Sequence, residues 1–119
     1  MKLIPETLKQ QMLENGKTNW ALSAKDQDTV DHKPVVKLFN PCGAATWLLT
    51  ELDPEDPDLA FGLCDLGMGC PELGSVRISE LEEVKGPLGI GIERDIHFDA
   101  DKTLSEYAEE ARIDQRIVT

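Results

Sequence analysis

Glu93-Arg94-Asp95-Ile96-His97-Phe98-Asp99 is the part of the chain whose residue types and spacing come nearest to a reaction centre. Side chains alternate between the two faces of a β-strand, so Glu93, Asp95, His97 and Asp99 would share one face and Ile92, Ile96 and Phe98 the other. Carboxylates projecting beside an imidazole could bind a divalent cation, or could orient His97 as a general base. Either would suit a metal-assisted hydrolytic enzyme. Any half-buried strand shows the same alternation with nothing bound to its polar face, however, and the spacing matches no known metal motif. A solvated face is the simpler reading.

Glu51, Asp53, Glu55, Asp56 and Asp58 form a second cluster, of hard oxygen ligands suited to calcium or magnesium. A calcium-binding hand needs glycine at its sixth position and glutamate at its twelfth; counted from Asp53, those places hold Asp58 and Cys64. Pro54 and Pro57 fit a rigid surface turn instead. Cys42, Cys64 and Cys70, with His32 or His97, include the ligand types for zinc. The paired CxxC knuckle is missing, though, and Cys64 sits in an apolar strand pattern as a small core residue. No cysteine is flanked by Lys, Arg or His that would activate it as a nucleophile. The glycines of Gly86-Pro87-Leu88-Gly89-Ile90-Gly91 precede an extended segment rather than a helix N-terminus, which predicts a bent, packed connection and not a phosphate loop. Gly-x-Ser-x-Gly, His-Glu-x-x-His and Walker patterns are absent from the sequence, and no cofactor is expected.

Charge narrows the function classes. Twenty-three Asp and Glu stand against 12 Lys and Arg in 119 residues, a formal charge of -11. That balance argues against direct binding of nucleic acid or anionic membrane, both of which call for a basic face. Residues 38–76 hold no Lys or Arg but seven carboxylates. Those groups must face water, draw cations from elsewhere in the fold, or await a partner. Residues 1–10 contain no apolar stretch of the kind a leader needs, and no run approaches the roughly 18 apolar residues of a membrane span. With an odd number of cysteines, this predicts a cytoplasmic protein with reduced thiols.

The elements that must position these groups belong to a single small domain. Pro5 and Gly16 bracket a helix over residues 5–15, with Ile4, Leu8 and Met12 as its apolar stripe. Residues 17–33 are polar and aperiodic, which predicts a mobile loop anchored by Trp20 and Leu22. Extended runs at 35–39, 45–53, 59–66 and 72–78 are separated by turn-forming residues. The links are too short for parallel crossovers, so they predict a four-stranded antiparallel meander with Trp47 and Leu49 on its core face. Residues 92–98 would add a fifth strand. Two capping boxes, Ser79 to Glu82 and Thr103 to Glu106, open a short middle helix stopped by Gly86-Pro87 and a C-terminal helix with Leu104, Ala108 and Ala111 on one face. Residues 114–119 should fray. The fold class is α+β, with helices packed on one face of an antiparallel sheet.

The strings PVVKLFNPCGAATWLLTELDPEDPDLAFGLCDLGMGCPELGSV (residues 34–76) and GPLGIGIERDIHF (residues 86–98) resemble a bacterial family, domain of unknown function 2958, of small acidic proteins carried by plasmids, phages and other mobile elements. The likeness runs from Leu3-Ile4-Pro5 to the helix at Leu104 and is weakest over residues 17–33. It implies a genetic setting and no chemistry, so no catalytic or binding residue is carried over. The expected function is a non-enzymatic module meeting a protein partner through Glu51, Asp53, Glu55, Asp56 and Asp58. In its sharper form these carboxylates imitate DNA phosphates and occupy the groove of a basic nucleic-acid-binding protein. The competing classes are the metal-assisted hydrolase built on Glu93, Asp95, His97 and Asp99, and a structural accessory subunit, monomer or dimer, exposing an apolar patch or an unpaired sheet edge.

Overall fold

Short links between alternating runs leave antiparallel pairing as the natural outcome, and the sheet follows chain order almost throughout. In the computed structural model, which describes residues 2–119, β1 (Val36–Phe39), β2 (Thr46–Asp53), β3 (Asp56–Asp65) and β4 (Glu72–Arg77) form the meander. β5 (Glu93–Arg94) returns to pair with β1, giving the spatial order β4-β3-β2-β1-β5. β3 begins at Asp56, earlier than its composition suggests. The Asp53 carboxylate accepts the Glu55 amide at 2.8 Å, so the hairpin closes over Pro54-Glu55 alone.

Helices cover both faces, not one. α1 (Glu6–Ala24) and α2 (Ile78–Glu83) lie on the side where Met12, Val36, Leu38, Trp47, Leu49, Leu52, Ile78 and Leu81 form the larger core. α3 (Leu104–Asp114) packs on the other, where Leu104, Tyr107, Ala111 and Ile117 meet Leu48 and Leu63. The consecutive burial of Trp47, Leu48 and Leu49 is the sequence trace of a strand covered on both sides.

α1 runs straight through Gly16, where the sequence suggested it would stop, and takes in residues 17–24 of the expected loop. The cause is a gap in the sheet. β1 pairs with residues 46–49 of β2 and no further, so the edge of β2 beyond them would be bare. α1 covers it: Asn15 donates its amide to the Thr50 carbonyl at 2.9 Å, and Gly16 lies so close that a Cβ there would sit 1.8 Å from the Leu52 carbonyl oxygen. Trp20, expected to anchor to the core, is 49% exposed.

The middle capping box does not form. Arg77 is the N-cap of α2 and Ser79 its second helical residue, so the Ser79 hydroxyl and amide turn instead to Asp58 of β3, at 2.6 and 2.9 Å. Glu82 accepts the Leu3 amide at 2.9 Å. The second box does form, with Glu106 accepting the Thr103 amide at 2.9 Å. Beside it the Asp58 device recurs: Asp31 accepts the Ser105 hydroxyl and amide at 2.5 and 3.1 Å. Each short helix is thus stapled at its second residue by a carboxylate from a distant segment.

These staples make stability depend on pH. The Ser79 hydroxyl, then its amide, with Arg77 adding to both, hold the Asp58 carboxyl below its ordinary value. Burial pulls Asp31 upward, but the Ser105 hydroxyl and amide outweigh it and the carboxyl ends lower. Glu106 is held low by Thr103 in the same sense. A carboxyl lower in the folded than in the unfolded chain contributes fully above its ordinary value, 3.8 for Asp, and loses that contribution as pH falls through the folded value. Urea midpoints should therefore drop between about pH 5 and about pH 3, and the Asp31→Asn, Asp58→Asn double variant should drop less. An unchanged pH slope in the double variant would refute the staples.

Three further expectations change. Pairing of β5 ends at Arg94, because the Asp95 carboxylate accepts the His97 amide at 2.9 Å and the Asp95 carbonyl accepts Phe98 N–H at 3.3 Å, turning the chain. Residues 114–119 do not fray: Ile117 is buried, and its amide reaches the buried Asp65 carboxylate at 3.1 Å. The glycine-rich connection is not packed at its tip, where Leu88 stands 98% exposed in the left-handed region at φ 60°. Among the described residues no helix is long and apolar enough to cross a membrane.

Candidate functional site

Irregularity in the central strand makes the most developed polar site. Leu49 stands opposite Gly62, but the next aligned pair is Glu51 with Phe61, so Thr50 is an extra residue and β2 bulges there. A bulge frees backbone groups and re-aims side chains. Asn15 takes the Thr50 carbonyl; Asn19, one turn along α1, donates to the Glu51 carboxylate at 3.1 Å and to the Val30 carbonyl at 3.1 Å, while its own oxygen accepts Val30 N–H at 2.7 Å. One buried amide thus ties the bulge, α1 and the connection into β1 together. The Asn15/Asn19 pair was missed in the sequence. Its signal is two Asn at i and i+4 flanking a glycine that continues a helix.

Beyond the bulge the α3 side of the sheet is bare. α3 has 11 residues, a length of roughly 16 Å, and it covers Leu48 and Leu63 while leaving Phe61 and Leu73 outside. Two adjoining cavities run along this zone, and a third is lined also by Cys64 of the opposite, α1-side core. One of about 260 Å³ touches Trp20, Glu51 and Phe61; one of about 470 Å³ touches Val30, His32, Phe61 and Leu73; one of about 280 Å³ touches Leu66, Met68, Cys70 and Leu73. Leu73 is 50% and Met68 76% exposed. Trp20, Val30, Phe61 and Leu73 make one apolar band.

The five carboxylates of residues 51–58 do not stand free together. Glu51 is held by Asn19; Asp56 pairs with Arg77 at 2.9 Å; Asp58 lies 3.7 Å from Arg77 and staples Ser79. The cation-free segment thus borrows its counter-charge from the first residue past its end. Asp53, bonded to the Glu55 amide, and Glu55 itself remain at the hairpin tip beside the apolar band.

Asp95, His97 and Asp99 border one cavity, placed there by a turn and not by strand alternation. They line a cavity of about 330 Å³ with Lys37, Asp101, Lys102, Tyr107 and Glu110; Glu93 is not part of it. Its charges are largely internal: Lys102 pairs with Glu110 at 2.6 Å and lies 5.4 Å from the Tyr107 ring, Lys37 reaches Asp95 at 3.7 Å, and the Tyr107 hydroxyl donates to Asp101 at 2.9 Å. Burial pushes the Tyr107 hydroxyl above its ordinary value. Among the described residues no three of His, Cys, Asp and Glu are grouped to hold a metal ion. Cys64 and Cys70 border one cavity, with Cys42 apart in the β1–β2 turn, and burial pushes the Cys64 thiol up, as befits a core group.

Fold and site together define a small α+β domain: an antiparallel meander with helices on both faces and a clamped bulge beside an exposed apolar band. The chain belongs to the family described as "Protein of unknown function (DUF2958)", whose model matches residues 3–118. Comparison with curated proteins and with solved structures finds no match.

Proposed function

We propose that this protein is a non-enzymatic docking module that binds a partner protein through the band running from Trp20 through Phe61 to Leu73. The observation that carries this is the band itself: four large, exposed apolar side chains on two adjoining cavities, beside a face that α3 is too short to cover. Its border gives the partner's chemistry. Among the described residues no Lys or Arg pairs with Asp53, Glu55 or Glu72 near that border, so the docking segment is apolar and carries Lys or Arg. Imitation of DNA by residues 51–58 has less support, because Glu51, Asp56 and Asp58 are engaged within the fold. The mobile-element setting implied by the family resemblance would make such a partner a protein of the host or of the element.

The test is affinity capture from cell lysate with the wild type, with Phe61→Ser plus Leu73→Ser, and with Asp53→Asn plus Glu55→Gln. Partners should be lost from the first variant and reduced in the second, and competing duplex DNA should leave capture unchanged. Equal capture by wild type and the apolar-band variant sinks the proposal, and capture abolished by DNA would restore the mimic.

A further inference from the structure

One edge of the sheet is open, and it borders the apolar band. We infer that an extended, basic and apolar segment of the partner adds as a sixth strand along β4. This rests on the docking function above and deepens it by naming how the partner is held. At the far edge β5 has two residues before the chain turns away, whereas β4 has six, roughly 20 Å of strand. Among the described residues no hydrogen bond joins the β4 backbone to anything beyond β3. Sheet edges are normally blunted by Lys, Pro, a bulge or a covering element. Leu73-Gly74-Ser75-Val76 has none of these, pairing residue for residue with β3 without a register shift, and the space beside Gly74 is open.

Side-chain placement and charge then select the occupant. Leu73 and Ser75 stand opposite Leu63 and Phe61, on the face α3 leaves bare, so every second side chain of an added strand would fall beside Leu73 and Ser75, next to the apolar band. Glu72 begins β4, Asp53 and Glu55 lie at the neighbouring hairpin, and Arg77 at the other end is taken by Asp56. A segment alternating apolar residues with Lys or Arg matches both features. A second copy of this chain would bring like charge to an already acidic edge.

The test uses the full chain with a pool of twelve-residue peptides alternating Lys with Val, Ile or Phe, and a matched pool with Glu in place of Lys. The Lys pool should shift the emission of half-exposed Trp20 and slow amide exchange within residues 72–77 by about tenfold or more, with both effects weakening as salt rises. Leu73→Lys, at a half-exposed position that should not unfold the domain, should lose both. A Trp20 response without slowed exchange at β4 would overturn strand addition while leaving the docking band in place. Equal binding of the Glu pool would overturn the charge assignment, and no binding by either pool would overturn strand addition and docking together. Protection of β4 in the chain alone, with a dimer in sedimentation, would make the occupant a second copy and overturn the partner segment.

Discussion

Gly16→Ala is expected to destabilise the protein by about 3 kcal/mol, lowering its melting temperature by roughly 10 °C or more. On helix propensity alone the change should help, since alanine is favoured over glycine inside a helix by about 1 kcal/mol. The added Cβ would lie 1.8 Å from the Leu52 carbonyl oxygen, however, and the obstacle is backbone, which cannot rotate aside. α1 must then move off β2, loosening the Asn15 bond to Thr50 and the packing of the fully buried Met12. Gly74→Ala is the matched control: nothing lies within 4 Å of its Cβ position, and its change should stay within about 0.5 kcal/mol. Calorimetry of both variants decides the matter. A neutral or stabilising Gly16→Ala would show that α1 does not seat on the strand edge.

Asn19→Ala is expected to cost about 2–3 kcal/mol, because it strands several groups at once. Val30 loses the partners of both its amide and its carbonyl, and Glu51 keeps only the Thr50 hydroxyl of its two donors beside the bulge. The loss should also be local, with amides of residues 25–35 exchanging faster relative to the core strands. Asn19→Asp separates geometry from charge. It can still accept the Val30 amide but sets a second carboxylate against Glu51, so it should be destabilising at neutral pH and recover in part when the pair takes up a proton. Urea titrations at two pH values, read with hydrogen exchange, test both variants. An Asn19→Ala protein with wild-type stability and exchange would mean that the clamp contributes nothing.

The meander was legible because strand signals are short-ranged. The apolar run at residues 47–49, the turn at Asn40-Pro41-Cys42-Gly43 and the Thr103 to Glu106 box each act within a few residues, and each appears where expected. Ser79 shows where that logic fails. Its box has the correct residues, but Asp58, 21 positions away, offers a charged acceptor to the same hydroxyl and amide, and the remote partner wins. Residues 93–99 fail differently: a turn held by the Asp95 carboxylate ends the strand, so Asp95, His97 and Asp99 border a cavity rather than share a strand face. The apolar band was hidden because Phe61 and Leu73 read as ordinary strand residues, and only the length and placement of α3 leave them bare.

Composition, turn chemistry and the period of two were enough to establish an acidic α+β domain and the order of its strands along the chain, since both are carried by near neighbours. Contacts between segments tens of residues apart decided the rest. They determined that Gly16 continues a helix instead of ending one, that the acidic run borrows Arg77, and that β4 is left as the open edge, because a helix stop, an ion pair and a free edge each depend on what the rest of the fold places beside them.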